Sequence, residues 1–463
     1  MALNQLPSIP AIPRSPESAP STFIIPGGTS DLVKTLILPE LDKLVRLGRC
    51  SNTRFLFINR EGKGETDEQR NYLDAELKTQ HGYNDKETRQ LMQKVFAAEC
   101  RDLTDEEALR NLFNPHHMET LVHNVGETRW LMHTALGPEI WGKMITRMPE
   151  LPNMEKILLE KPVGTNQEEA KGLIGQIKET PYADKTRAID HYLGKTLIDY
   201  IVKLKQGRNT DSEISKGWAN VFETLLDPQY WESVKVIMDE EKNVNGRGSF
   251  FESVGGIVPD MLQSHMLLTL ASIEAVVGEP EKSDEQIKAF LNGIQEQQIL
   301  ALAQYRGYRD HEKVDNQSQT PTGIKGKFSW NNGSSKIPHH FRVAKGVNQK
   351  RGRIEIVFRD PIYSEADQSY IDSIHIRLHR RTVILLKRGP NGENLKEEIT
   401  LVPDSVADLG AYGNVYSGAI AGENTATVSL DNVLASHQAA APFLDQQGVT
   451  IDRHPQGEVW GNF

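Results

Sequence analysis

The stretch TFIIPGGTSDLVKTLILPELDKLVRLG, residues 22–48, decides the fold class. Its apolar run Phe23–Ile25 predicts a short buried strand, and the glycine pair Gly27 and Gly28 follows at once. Apolar residues then recur at roughly helical spacing until Gly48, where a helix would stop. A strand, a glycine turn and a helix form the arrangement that a dinucleotide pyrophosphate needs.

The turn itself, GGTSDL (Gly27–Leu32), leaves one alternative open. Ser30 stands where G-x-x-G would have its second glycine, so the turn could be merely structural. The next apolar run, RFLFINREG, ends near Arg60. An NAD enzyme would place an acidic residue there, on the ribose 2′-hydroxyl, whereas an arginine suits a 2′-phosphate. The residues therefore favour NADP as the cofactor.

The texture of the sequence predicts two domains after a short tail. Over residues 22–187, apolar runs closed by Gly or Pro alternate with helical stretches, which predicts a Rossmann-type parallel sheet covered by helices on both faces. Residues 188–463 are predicted to form an α+β domain. Its long helices are expected over 191–226 and 256–305, and a large, mainly antiparallel sheet from about residue 320. Residues 1–21, with five prolines, are predicted to be a flexible tail.

Composition excludes several classes of protein. The net charge of −10 argues against a general nucleic-acid binder, which needs a basic surface. No stretch approaches the roughly 20 apolar residues of a membrane helix. The two cysteines, Cys50 and Cys100, exclude a disulfide scaffold and a cysteine-based zinc site, and they fit a reducing compartment. We expect a cytoplasmic protein that needs no metal and has no membrane partner.

Two motifs of the first half carry chemistry. RAIDHYLGK, residues 187–195, gathers Asp190, His191, Tyr192 and Lys195 within six positions. It could equally open a surface helix whose charges are solvated. LLEKPVG places Lys161 where the last strand of the nucleotide domain would end, at the edge where open α/β sheets bind ligands. A solvated Glu-Lys pair is the alternative.

Two further motifs lie in the second half. NGRGSFFESVGGIVPDMLQSHMLL, residues 245–268, brings Asp260 and His265 close to an apolar helix face. A histidine can take a hydroxyl proton near neutral pH, although many histidines on such faces are satisfied core residues. FRVAKGVNQKRGR, residues 341–353, adds Lys345, Lys350, Arg351 and Arg353. This basic strand and loop could be solvated, or it could bind a phosphorylated sugar.

Together these motifs resemble the glucose-6-phosphate dehydrogenase family. The order is G-x-x-x-D-L, E-K-P-x-G, I-D-H-Y-L-G-K, then G-R-G with D-x-x-Q-x-H, and the likeness continues through FRVAKGVNQKR, AYGNVYSGAIAGENT and HPQGEVWG. It spans about residues 22–461. The resemblance implies oxidation of glucose 6-phosphate at C1 with NADP, a step of the pentose phosphate pathway, by a homo-oligomer (dimer or tetramer). It also implies that residues 188–463 form the domain for substrate binding and oligomerisation.

The resemblance also implies roles for single residues. His265 would remove the C1 hydroxyl proton and Asp190 would pair with it. The expected substrate-binding residues are Lys161, His191, Tyr192, Lys195, Glu240, Asp260, Lys345 and Lys350. The expected cofactor-binding residues are Gly27, Gly28, Thr29, Ser30, Asp31, Leu32, Arg60, Trp141 and Lys161.

Several positions depart from the family pattern. Ser30 replaces a glycine, Ala188 and Pro259 each replace an arginine, His379 replaces a substrate-contacting glutamine, and Trp141 replaces a cofactor-contacting tyrosine. These changes leave two alternatives open: a dehydrogenase of a related hexose 6-phosphate, and a catalytically weak paralogue with a regulatory role.

Overall fold

The protein is described from a computed structural model. The residues that it describes are 20–62, 66–122, 128–207, 222, 224–244, 246–364, 368–402, 406, 409–424, 426–457 and 460. The predicted tail, apart from its last two residues, lies outside them, as does most of the predicted helical stretch after residue 207.

The first sheet is parallel apart from one edge strand. Its strands are β1 (Ser21–Pro26), β2 (Thr53–Arg60), β3 (Val95–Cys100), β4 (Arg129–Thr134), β5 (Met154–Leu159), β6 (Thr186–Ile189) and β15 (Thr427–Ser429). Their order is β15-β6-β5-β4-β1-β2-β3, with β15 antiparallel to β6. The chain runs outward from β1 in both directions, so the sheet has its topological switch point between β1 and β4. A Rossmann-type sheet binds its ligand at the carboxyl ends of strands beside such a point.

The second sheet is mainly antiparallel, as predicted. Its strands are β7 (Trp231–Glu240), β8 (Ile294–Tyr305), β9 (Gly323–Asn331), β10 (Lys336–Lys345), β11 (Arg351–Ser364), β12 (Ser369–Arg377), β13 (Thr382–Arg388), β14 (Asn394–Thr400) and β16 (Ile451–His454). Their order is β14-β13-β12-β11-β7-β10-β9-β8-β16. Two pairs are parallel, β7 with β10 and β8 with β16. The β7–β10 register sets Glu240 directly beside Lys345 at the shared carboxyl end.

Helices cover both sheets. The α-helices are α1 (Leu38–Arg46), α2 (Thr66–His81), α3 (Asp85–Met92), α4 (Glu106–Leu112), α5 (Pro115–Val122), α6 (Pro138–Arg147), α7 (Gln167–Lys178), α8 (Thr196–Lys205), α9 (Gly248–Ser253), α10 (Leu267–Glu274), α11 (Ser283–Asn292), α12 (Ala411–Ile420) and α13 (Leu430–Ala440). Two π-helical stretches, Val33–Ile37 and Val258–Met266, lead into α1 and α10. Among the described helices, none is both long and apolar enough to cross a bilayer.

Three details of the predicted organisation differ from the structure. The helix expected over 256–305 is wrong at its end, because residues 294–305 form β8, which pairs with β9. A short apolar run with polar neighbours is ambiguous between helix and strand, and here ladder pairing decides. Strand β7 was not expected at all. Lys161 follows β5, which is not the last strand of the sheet, since β6 and β15 lie beyond it.

The C-terminal part of the chain returns to the first sheet. Strand β15 pairs with β6, and β6 itself spans the boundary predicted at residues 187/188. Helix α12 packs its Tyr412, Val415 and Tyr416 into the same apolar cluster as Phe23 of β1. The first sheet is therefore completed by segments that lie more than 200 residues further along the chain.

Candidate active site

A cleft of about 780 Å³ lies where the carboxyl ends of the two sheets' strands meet. Such a volume suits a small ligand together with part of a cofactor. The first sheet contributes the segments that follow β4 and β5, and the second contributes the ends of β7 and β10. The π-helical stretch 258–266 forms one side, and π-helical turns are frequent at functional sites.

Asp190 is the centre of a buried charge cluster. It follows β6 directly, its side chain is fully buried, and its Oδ1 lies 3.0 Å from His265 Nδ1. Lys161, just past β5, donates from Nζ to Asp190 Oδ2 at 2.9 Å and also to the Ser264 carbonyl oxygen. Burial alone would raise the pKa of Asp190, but the charges of Lys161 and His265 hold it well below its usual range. Asp190 is therefore an ionised orienter of the imidazole.

The π-helical stretch brings His265 to this carboxylate. Because Asp190 engages Nδ1, the ring nitrogen left for a ligand is Nε2, and His265 lines the cleft. The Tyr192 ring stacks on the imidazole at 4.7 Å between centroids, and the His191 ring meets its face edge-on at 4.3 Å. A histidine held by a carboxylate and packed between two rings has the geometry of a general base.

Beside these rings lies a buried lysine nitrogen that has no hydrogen-bond partner among the described residues. Lys195 Nζ is buried 3.0 Å from the centre of the Tyr192 ring, and within the described structure it has no hydrogen-bond partner. Burial lowers the pKa of Lys195, and the neighbouring charge of Lys350 lowers it further. His379 also lies here, and burial with the charges of Lys195 and Lys350 lowers its pKa to about 3. Buried charges are normally paired, so this cluster is suited to an anion.

A second set of ion pairs faces the cleft from the other sheet. Lys345 lies 2.6 Å from Glu240 Oε2 and 3.0 Å from Asp260 Oδ2, and Tyr192 donates its hydroxyl proton to Glu240 Oε1 at 3.1 Å. Burial opposes the charge of Lys345, but Asp260 and Glu240 raise its pKa overall. Burial likewise opposes the charge of Glu240, but Lys345 lowers its pKa to about 2. The group is thus a fixed array of charged donors and acceptors, suited to hydroxyl groups.

The glycine turn fits a dinucleotide phosphate in its backbone. Gly27 has a φ of +85°, and a Cβ there would lie 2.6 Å from the Ala135 carbonyl oxygen, so the turn requires glycine. Gly28 and Thr29 complete the turn, and the helix begins at Asp31. The first N–H groups of a helix have no partner within it, and Asp31 and Leu32 line the cleft.

Ser30 and Arg60 flank this turn. Ser30 Oγ accepts a hydrogen bond from Val33 N at 3.3 Å, which is a helix-capping contact. Gly27 N donates to Ile58 O at 3.0 Å and so holds the turn against the end of β2. Arg60 is the last residue of β2 and is exposed. It lies at the carboxyl edge of the first sheet, where a residue that contacts the cofactor's ribose is expected, and outside the lining of the cleft.

Trp141 and Lys350, like Arg60, lie outside the lining of the cleft. Trp141, the expected cofactor contact, is fully buried in the apolar core beneath α6, next to Met144 and Ile145. Its position in the helix points the side chain into the core and away from the cleft. Lys350 is exposed and does not line the cleft, although its charge reaches Lys195.

The sequence reasoning also missed residues that do line the cleft. Glu160 precedes Lys161 and could have been found from the motif itself. Tyr412 lies in AYGNVYSGAI, a stretch with no assigned role, and His437 lies on α13 without any motif around it. These last two belong to the C-terminal segment that returns to the first sheet, which only the fold reveals.

Family models match almost the whole chain. The glucose-6-phosphate dehydrogenase NAD binding domain matches residues 24–199, and the glucose-6-phosphate dehydrogenase C-terminal domain matches residues 218–458. The chain belongs to the glucose-6-phosphate dehydrogenase family. The resemblance and the fold class predicted from the motifs are thereby confirmed, and the first domain is a dinucleotide-binding domain.

Relatives of this dehydrogenase family match over most of their length. A glucose-6-phosphate 1-dehydrogenase of Borreliella burgdorferi is 26% identical over 86% of this chain and 84% of its own. A cytoplasmic isoform from Solanum tuberosum is 26% identical over 91% and 83%. Among solved structures, the Mycobacterium avium enzyme has a TM-score of 0.78 at 18% identity, covering 95% of both chains. A glucose-6-phosphate dehydrogenase in complex with glucose 6-phosphate has a TM-score of 0.77 at 21% identity, covering 97% of both.

Proposed function

We propose that this chain oxidises glucose 6-phosphate at C1 with NADP, giving 6-phosphogluconolactone and NADPH. The observation that carries the proposal is the buried Asp190–His265 pair, whose side chains are 3.0 Å apart. Beside it lies Lys195, whose buried Nζ has no hydrogen-bond partner among the described residues. Proton removal, an anion-binding cluster and a dinucleotide turn are then available around one cleft. Family membership supports the same chemistry.

In this proposal His265 Nε2 accepts the proton of the C1 hydroxyl. The C1–H bond breaks with its electron pair, which leaves as hydride, and C1 becomes the lactone carbonyl carbon. Asp190 stabilises the imidazolium that forms, and Lys161 keeps Asp190 ionised through its 2.9 Å contact. Lys161 also lies in the cleft, where it would reach both substrate and cofactor. A bound nicotinamide ring supplies the hydride acceptor.

The sugar is bound by two groups of side chains in the proposal. His191, Tyr192 and Lys195, with Lys350 nearby, bind the 6-phosphate, and the lysine that is unpartnered in the described structure gains its counter-ion there. Glu240, Asp260 and Lys345 bind the ring hydroxyl groups. Fixing both ends of the sugar orients C1 toward His265, and orientation of this kind supplies much of an enzyme's rate enhancement.

The cofactor is bound by residues 27–32 and Arg60 in the proposal. The turn's backbone receives the pyrophosphate at the start of the helix. Arg60 pairs with the 2′-phosphate, which gives NADP preference over NAD. Trp141 has no role, because it is fully buried.

A related hexose 6-phosphate is the second candidate substrate. It is favoured by His379, a neutral ring held at the anion cluster, and by Pro259 beside Asp260, since both lie where the family has other side chains. NADPH absorbance measured with purified protein and a panel of hexose 6-phosphates decides between the two. A protein that turns over none of them, with NADP or NAD, contradicts the proposed function and favours a regulatory paralogue.

We further propose a cytoplasmic homo-oligomer, a dimer or tetramer. Large apolar side chains are exposed on the second sheet, among them Tyr363 on β11 and Tyr370 on β12, whose ring centroids lie 5.2 Å apart. Exposed apolar patches on a sheet face are typical of subunit contacts. Sedimentation equilibrium tests this, because a monomer at micromolar concentration contradicts it. The potato relative named as a cytoplasmic isoform supports the location.

A further inference from the structure

A buried histidine and tyrosine lie directly behind the cleft, and the proposed chemistry does not use them. His133, in β4, and Tyr416, in α12, are both fully buried. His133 Nδ1 is hydrogen-bonded to the Tyr416 hydroxyl, and His133 Nε2 lies 2.8 Å from Glu160 Oε1. Glu160, unlike the other two, lines the cleft, beside Lys161. The three side chains therefore form a continuous line from the core to the cleft wall.

The chemistry of the groups gives this line a direction. Burial raises the pKa of the Tyr416 hydroxyl well above its usual range, so the hydroxyl keeps its proton and donates it to Nδ1. The Nε2–H of His133 is then the donor to Glu160. The Tyr412 hydroxyl is a second donor to the Glu160 carboxylate. Two donors fix the carboxylate in one orientation.

The line also connects three neighbouring strands of the first sheet, β1, β4 and β5. The Tyr416 ring meets the Phe23 ring of β1 edge-on at 4.8 Å, just before the glycine turn. His133, in β4, lies two residues before Ala135, which lines the cleft. Glu160 directly follows β5. The ends of β1, β4 and β5 are thus held by one helix, α12, from the far end of the chain.

We propose that His133 and Tyr416 are positioning residues that hold the Glu160 carboxylate as an acceptor for the nicotinamide end of the cofactor. The inference rests on the proposed function, because it assumes a nicotinamide dinucleotide in this cleft. A nicotinamide ring carries a carboxamide N–H group, for which a fixed, partly buried carboxylate is a strong acceptor. Binding costs less when that carboxylate is already ordered. Sugar phosphate binding, which depends on other side chains, is independent of the line.

The test is a double-mutant cycle measured by dinucleotide binding. Tyr416→Phe removes one hydroxyl and keeps the ring that packs on Phe23, and Glu160→Gln removes the charge through which it acts. By calorimetry with NADP on the free protein, we expect Tyr416→Phe to weaken binding about tenfold, the loss of one hydrogen bond's contribution. In the Glu160→Gln background the same change should cost less than about twofold, because the partner is gone.

Tyr182→Phe is the matched control. Tyr182 is also fully buried in the first domain and hydrogen-bonded, accepting from Leu151 N at 2.9 Å, but it lies near the opposite, amino end of β5. It should lower thermal stability as Tyr416→Phe does and leave the dissociation constant for NADP unchanged. Equal weakening by the two variants, or additive effects with Glu160→Gln, overturns the proposal. If Tyr416→Phe does not fold, His133→Leu replaces it in the cycle.

Failure of this inference and failure of the proposed function give different results. Wild-type turnover of hexose 6-phosphates with NADP decides the function. If wild type turns over and Tyr416→Phe binds NADP as tightly as wild type, the function stands and the positioning role is wrong. If wild type binds no dinucleotide at all, both are wrong.

Discussion

The two sides of the cleft present different kinds of group, ionised side chains on one side and backbone on the other. On the side proposed to bind the sugar phosphate (the sugar side), ionised side chains pair with one another: Asp190 with His265 and Lys161, and Glu240 with Lys345. On the side proposed to bind the cofactor (the nucleotide side), a glycine turn leads into a helix whose first residues line the cleft. Where charged side chains stabilise one another, replacing one should disturb the others and so strongly affect turnover or binding. Backbone contacts should change little when the side chains around them are replaced. Substitutions on the two sides should therefore differ in size.

The largest effect is expected at His265. His265→Asn keeps a hydrogen bond to Asp190 but cannot accept the C1 hydroxyl proton. General-base catalysis contributes about 10²–10⁴ in rate, so turnover should fall by a factor in that range. Dissociation constants for sugar phosphate and NADP should change little, which equilibrium binding measured beside turnover will check.

Asp190→Asn is the companion variant and should lower turnover less. It removes the charge that stabilises the imidazolium but leaves the base in place. A His265→Asn protein with near-normal turnover would remove the proposed mechanism and point to another base. Loss of ligand binding by either variant would mean that the cluster maintains the shape of the cleft and does not act in the reaction itself.

The next effect is expected at Lys195, within the anion cluster. Its Nζ is buried and has no hydrogen-bond partner among the described residues, so we expect a sugar phosphate to supply one. A hydrogen bond to a charged group contributes about 1.5–3 kcal/mol, and Lys195→Ala should weaken hexose phosphate binding about tenfold or more. NADP affinity should stay nearly the same. If the variant lost NADP binding and kept sugar phosphate binding, the assignment of the two ligands to the two sides of the cleft would be wrong.

Arg60 tests the nucleotide side. Arg60→Ala should raise the Michaelis constant for NADP about tenfold and leave that for NAD nearly unchanged, because only NADP has a 2′-phosphate to pair with. Arg60 is exposed, so the folded protein should tolerate the change. If wild type uses both cofactors equally, or the variant weakens both alike, Arg60 does not read the ribose.

The sequence predicted the pairing of the ionised side chains better than the location of Trp141, for a physical reason. The carboxyl ends of parallel strands share one edge, so Lys161 after β5 and Asp190 after β6 had to meet. The resemblance of the motifs then predicted that His265 pairs with Asp190. A backbone turn carries less information in its side chains, and Trp141 shows the limit: its place in the sequence does not reveal which face of α6 it lies on.

The fold shows the same contrast. Alternating strands and helices predicted the first sheet, and period-two runs predicted β10 to β13. The end of the helix expected over 256–305 became β8, because pairing with β9 overrides local pattern. The contact of Tyr416 with His133 joins residues 283 positions apart. No local pattern predicts a contact at that separation.

A smaller effect is expected from His379 as the pH is lowered. Its pKa is about 3 in the folded protein, mainly because of burial, and near 6.5 when unfolded. The unfolded state therefore takes up a proton first, so the stability that neutral His379 contributes is complete above about pH 6.5 and is lost as the pH falls toward 3. Between pH 7.5 and 5.5, wild type should lose about 1 kcal/mol more unfolding free energy than His379→Gln. Urea denaturation at both pH values checks this, and parallel curves would contradict it.

The smallest effect is expected at Ser30, where the chain departs from the usual glycine turn. If the side chain crowded the pyrophosphate, Ser30→Gly would tighten NADP binding markedly. The hydroxyl is instead engaged, since Ser30 Oγ accepts from Val33 N at 3.3 Å and caps the helix. Glycine is itself a tolerated cap, so the change should cost only a few tenths of a kcal/mol in stability and move the NADP dissociation constant by less than about twofold. Calorimetry on both proteins decides. Tightening of about tenfold would mean that the serine blocks the turn, and weakening of that size would mean that its hydroxyl binds the phosphate. Either result would show that a side chain, rather than the backbone, governs the nucleotide side.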